Sequence, residues 1–104
     1  MLHPSAYEDG FARDHLPPPE QWPVLEDGGL AELRYPLRFN AAAEFLDKTV
    51  AAGRGDLPCL RSPTVSWSYA ETLARSNRIA NALTRELGLR PGNRVLLRAA
   101  NSPL

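Results

Sequence analysis

Three consecutive prolines, Pro17, Pro18 and Pro19, followed by Pro23, govern the first third of this chain. Each fixes its own φ, removes a backbone donor and biases the preceding residue towards extended conformations, so neither a long helix nor a central strand can run through them. Ten prolines in 104 residues is about twice the usual share of roughly 5%. The segment 1–38 therefore reads as an extended arm. Its apolar residues Leu16, Trp22, Val24 and Leu25 are too few for a core of their own and too many for a plain solvated linker, so they are expected to lie along some other surface. A Pro-rich ligand for an aromatic groove is the rival reading, but no basic pattern flanks Pro17–Pro19.

Regular structure is expected from Asn40 onwards. Asn40 suits an N-cap, three alanines follow, and Phe45, Leu46, Thr49 and Val50 recur at helical spacing up to a stop at Gly53. Two runs of strand character, Leu57–Arg61 and Thr64–Ser68, flank Ser62 and Pro63 as in a hairpin with a tight connection, with Val65 and Trp67 on one face. Ser68, Tyr69, Ala70 and Glu71 spell a capping box, so a helix should begin there. Leu73, Ala80, Leu83 and Leu87, with Ile79 beside them, give it an apolar face that ends at Gly88. After a turn at Pro91 and Gly92, Val95, Leu96 and Leu97 between Arg94 and Arg98 read as a short strand buried on both faces, which needs neighbours. Ser102 and Pro103 have the form of a further helix start. Helix, strand and helix start in that order suit the opening of an open α/β sheet, and the chain reads as the beginning of a larger protein.

Charge and cysteine content narrow the function classes. Twelve Lys plus Arg balance twelve Asp plus Glu, leaving no basic excess with which to grip nucleic acid. The single cysteine, Cys59, has no second Cys for an internal disulfide, which suits a reducing compartment. Residues 1–10 lack the basic start and apolar run of a secretory signal, and no stretch approaches the roughly 18 apolar residues of a membrane span, so a cytoplasmic protein without membrane contact is expected.

Candidate chemistry is sparse. His15 beside Asp14 is the histidine close to a carboxylate, but both lie in the proline arm, which lacks the rigid frame a triad needs. His3 reads as a terminal spectator. Cys59 in a strand beside Leu60 reads as a small packed thiol rather than a nucleophile. Arg54, Gly55 and Asp56 spell an adhesion tripeptide, although Gly53 and Gly55 read as a helix stop and a turn. Gly28 and Gly29 follow Asp27 without a dinucleotide fingerprint, and no phosphate-binding loop occurs. Trp22 and Trp67 read as packing anchors before ligand stackers. Arg75, Arg78 and Arg85 read as a solvated helix face, with Glu71 four residues before Arg75 as a helix pair, rather than as a partner-binding stripe.

The stretch from Tyr35 to Leu104, with YPLRFNAAAEFLD, VSWSYAETLARSNRIANAL and GLRPGNRVLLRAANSPL, resembles the N-terminal part of AMP-forming acyl- and aryl-CoA ligases, the adenylate-forming superfamily. Within it the likeness is greatest to the benzoate-CoA ligase group, and the arm FARDHLPPPEQWP looks like the start of 2-aminobenzoate-CoA ligases. The resemblance implies an α/β fold. Residues 1–38 would be the arm and residues 39–104 the beginning of the AMP-binding, or adenylation, domain, with Arg94–Arg98 a strand of its central sheet.

The resemblance also implies a two-step reaction, in which ATP with Mg2+ activates an aromatic carboxylate as an acyl-adenylate and coenzyme A then displaces AMP. In that family the chemistry belongs to a Ser/Thr/Gly-rich phosphate loop, an aromatic-Thr-Glu segment, a ribose-holding Asp and a Lys on a mobile C-terminal domain. None of these motifs occurs here, so no catalytic, cofactor-binding or metal-binding residue is assigned. The expected partner is the remainder of the ligase domain. A free-standing helix and hairpin interaction module is the alternative, favoured by a length near the mode for a domain.

Overall fold

The structure, a computed structural model, describes residues 6–24, 26, 28–36, 38–100 and 102. The sequence expectations for His3, Leu25 and Pro103 lie outside these residues. The chain divides into two units, Met1–Phe39 with Arg90–Asn93, and Asn40–Leu89 with Arg94–Leu104.

In the larger unit the alanine-rich helix over 41–54 starts as its sequence predicts. The Asn40 side chain accepts a hydrogen bond from the Ala43 amide at 3.0 Å, satisfying one of the donors that a helix start leaves open. The turns Ala43–Asp47 and Val50–Arg54 are widened to i→i+5 bonding. Gly53 takes φ 74° and ψ 16°, a left-handed conformation open to glycine at little steric cost. Ala43, Leu46, Thr49 and Val50 form the half-buried face. Phe45, assigned to that face from spacing, is 60% exposed. Neighbouring helical residues point about 100° apart, so Phe45 and Leu46 cannot both sit at the centre of one face.

The hairpin consists of β1, Pro58–Arg61, and β2, Ser66–Ser68, paired antiparallel with Pro58 opposite Ser68, Leu60 opposite Trp67 and Arg61 opposite Ser66. Cys59 is the extra residue of a bulge between the first two pairs. Both strands are shorter than the expected runs, and the connection spans Ser62 to Val65 rather than two residues. The Ser62 hydroxyl explains the longer turn, since it accepts from the Val65 amide at 3.0 Å while the Ser62 amide donates to the Val65 carbonyl at 2.7 Å.

The helix Tyr69–Asn81 has both halves of its capping box. Ser68 Oγ accepts from the Glu71 amide at 3.2 Å, and Glu71 Oε2 accepts from the Ser68 amide at 2.8 Å. A widened turn, Ala82–Glu86, continues the helix, and the Leu89 amide closes its end on the Leu83 carbonyl at 2.9 Å. The helix packs on the alanine-rich helix and on both strands. Its first turn is tied down by bonds from the Tyr69 amide to the Leu57 carbonyl and from the Ala70 amide to the Gly55 carbonyl. Gly55 eases the close approach there, because a Cβ would come within 3.3 Å of the Ala70 methyl. Tyr69, Thr72, Leu73, Ser76 and Leu83 are half-buried, whereas Ile79 and Leu87 from the same predicted face remain 62% and 69% exposed.

The expected strand Arg94–Arg98 has no ladder partner among the described residues. Leu96 and Leu97 stand 93% and 87% exposed. A strand buried on both faces requires flanking strands and covering helices, and no described residue supplies them.

In the smaller unit the arm departs from a simple extended path. It carries a short helix, Phe11–Asp14, and single 3-10 turns at Pro19–Gln21 and Ala31–Leu33. The Trp22 indole N–H donates to the Pro17 carbonyl at 2.7 Å, folding the proline run back on itself. Among the described residues no hydrophobic side chain is fully buried. Among the described residues no helix is long and apolar enough to cross a membrane.

Candidate functional site

The residues singled out from the sequence occupy separate local settings. His15 ends the short helix Phe11–Asp14, where its ring stacks on Phe11 with centroids 4.0 Å apart and its Nδ1 lies 2.7 Å from the Phe11 carbonyl oxygen. Asp14 meets Arg13 instead, at 3.8 Å. The adjacent His and Asp therefore do not form a base and its orienting carboxylate. Cys59 is a free, half-buried thiol at the β1 bulge. Gly55 of the Arg-Gly-Asp tripeptide is held against Val50 and Ala70, which makes the tripeptide part of the packing between the two helices. Gly28 and Gly29 both adopt positive φ, as a tight turn requires.

Among the described residues no group of three or more His, Cys, Asp or Glu is placed to hold a metal ion. Three acidic residues have structural tasks: Glu71 closes the capping box, Glu44 meets Lys48 one helical turn on, and Asp9 accepts from the Phe11 amide at 2.9 Å.

Two relationships were missed by reading the sequence. The Arg75 guanidinium lies over the Trp67 ring, 4.0 Å from its centroid, so Arg75 serves the hairpin rather than the expected pair with Glu71. Glu71 is already committed to the Ser68 amide. Strand alternation and helical spacing together could have signalled this contact, because Trp67 lies just before the helix and Arg75 two turns into it.

The second is a junction between Asp9 and the turn at Arg90–Asn93. The Glu8 and Asp9 amides both donate to the Pro91 carbonyl, at 2.9 and 3.1 Å, and the Asn93 side-chain amide donates to Asp9 Oδ2 at 2.8 Å. Nothing in the local sequence at either end announces a bond across 84 positions.

This arrangement gives the chain anchoring and packing chemistry, with apolar surface at Val95, Leu96 and Leu97 left uncovered. Comparison with known proteins supplies what the geometry does not. The family model described as AMP-binding enzyme matches residues 46–104. The benzoate–CoA ligase of Thauera aromatica is 37% identical over 65 residues, which is 62% of this chain and 12% of that ligase. The chain thus spans a small part of the length of the curated relative it matches. No solved structure matches the chain.

Proposed function

We propose, from the fact that this chain belongs to the AMP-binding enzyme family, that it supplies one section of an ATP-dependent aryl-CoA ligase. The ligase activates an aromatic carboxylate of the benzoate or 2-aminobenzoate type as an acyl-adenylate and passes the acyl group to coenzyme A. The observation that carries this reading is the 37% identity to a benzoate–CoA ligase over 65 residues. The arm sequence from Phe11 to Pro23 supports the 2-aminobenzoate type through its resemblance to the start of those ligases.

In this reading residues 1–38 are an N-terminal arm and residues 39–104 the beginning of the adenylation domain, whose remainder is the partner that covers Val95–Leu97. ATP, Mg2+ and coenzyme A are handled by that remainder. Among the described residues no group of three or more His, Cys, Asp or Glu is placed to hold a metal ion, and no chemical step is routed through this section. The section alone is inactive and works in the cytoplasm. The exposure of Leu96 and Leu97 and the lack of any fully buried hydrophobic side chain among the described residues speak against a free-standing interaction module.

The test is carboxylate-dependent exchange of labelled pyrophosphate into ATP, with benzoate and 2-aminobenzoate as substrates. The 104-residue chain alone should show none. Mixed or co-expressed with an aryl-CoA ligase polypeptide that lacks the matching section, it should restore exchange. Exchange by the chain alone would refute its inactivity, and failure to restore it in any such pairing would refute its role as a ligase section.

A further inference from the structure

We propose that residues 6–15 form a latch that fastens the proline-bearing segment to the turn Arg90–Asn93. All the residues concerned belong to one unit of the structure. The turn is preformed: the Asn93 amide donates to the Arg90 carbonyl at 3.0 Å, and Asn93 Oδ1 accepts from the Arg90 amide at 2.9 Å. That second bond fixes the side-chain amide so that its Nδ2 points at Asp9 Oδ2, 2.8 Å away. Pro91 supplies the acceptor for the Glu8 and Asp9 amides.

Gly92 takes φ 96°, and a Cβ there would overlap the Asp9 carbonyl oxygen. Only glycine permits both the turn and the approach of the arm.

The other half of the latch is equally shaped. Asp9 Oδ1 accepts from the Phe11 amide at 2.9 Å, which starts the short helix, and His15 stacked on Phe11 stiffens its end. Each Asp9 oxygen and each polar atom of the Asn93 side chain therefore has a distinct task. With the latch closed, the chain leading into the proline run is fastened to the turn Arg90–Asn93. Opened, it is a tail exposed to proteases and partners. The inference is independent of the ligase reading.

Exchanging the two side chains tests it. In Asp9→Asn, two amide groups meet and one oxygen must do the work of two, so one bond is lost, from the Phe11 amide, from Asn93 Nδ2, or, if Asn93 turns over, from the Arg90 amide. In Asn93→Asp, two carboxylates meet. In the double variant Asp9→Asn with Asn93→Asp, the side-chain bond is restored with donor and acceptor reversed, while the Phe11 and Arg90 amides still donate to the remaining oxygens. Trypsin cleavage after Arg13 of the 104-residue chain should be about tenfold faster in each single variant, the scale expected for loss of a charge-assisted bond, and within about twofold of the parent in the double variant. Exchange of the Glu8 and Asp9 amides should follow the same order. Parent and single variants cleaved at one rate would overturn the proposal, as would a double variant no slower than the faster single. Should a single variant also lose helical circular dichroism, the double variant must recover both signals for the latch to stand.

Discussion

The Asn93 side-chain amide reaches Asp9 Oδ2 at 2.8 Å across 84 positions of sequence, and the residue between them in the turn, Gly92, is what lets the backbones meet. Replacing Gly92 with Ala adds a methyl group where the Asp9 carbonyl oxygen lies and penalises a backbone held at φ 96°. The expected loss is about 1–3 kcal/mol of local stability, confined to the arm and the turn. It would be measured as faster exchange of the Asp9 amide, with the Glu71 amide unchanged.

Ser68 and Glu71 exchange backbone bonds at the start of the long helix, so Ser68→Ala should destabilise that helix by about 1 kcal/mol. Ser68→Thr should retain most of the cap. Urea titration followed by circular dichroism would read both, and equal midpoints for parent and Ser68→Ala would contradict the assignment.

Arg75 over Trp67 should appear as a coupling energy of about 0.5–1 kcal/mol in a double-mutant cycle with Ala at both positions. Arg75→Ala should also change Trp67 emission. A cycle that closes to zero would mean that the stacking contributes nothing to stability.

The exposed pair Leu96 and Leu97 carries the opposite expectation. Because both side chains are almost fully open, Leu96→Lys should change the chain's stability by less than about 0.5 kcal/mol. It should nevertheless reduce self-association in sedimentation, since an unpaired apolar extended segment is a template for other chains. Unchanged association would locate the sticky surface elsewhere, for instance at Ile79 and Leu87.

Legibility in the sequence followed the range of the interaction. The Asn40 cap, the Ser68–Glu71 box and the left-handed Gly53 involve neighbours within a few residues, and the sequence predicts each of them. Phe45 failed because spacing alone cannot choose between two adjacent apolar residues. Glu71 and Arg75 failed because both had stronger offers, from the Ser68 amide and the Trp67 ring. The Asp9–Asn93 bond was illegible for a different reason, since both of its ends look like ordinary turn residues. As for chemistry, the residues singled out no site, and the longer motifs carried the family likeness.

The bulge in β1 has a consequence for how this hairpin tolerates insertions and deletions. Pro58 stands opposite Ser68 and Leu60 opposite Trp67, so Cys59 is the residue the ladder does not count. Deleting Cys59 leaves every cross-strand partner where it was and regularises the ladder. Deleting a residue from β2 reverses the faces of Trp67 and its neighbours, and with them the seat on which Arg75 rests. Within β1 and β2, loss of a residue therefore spares the pairing at Cys59 and shifts it at every paired position.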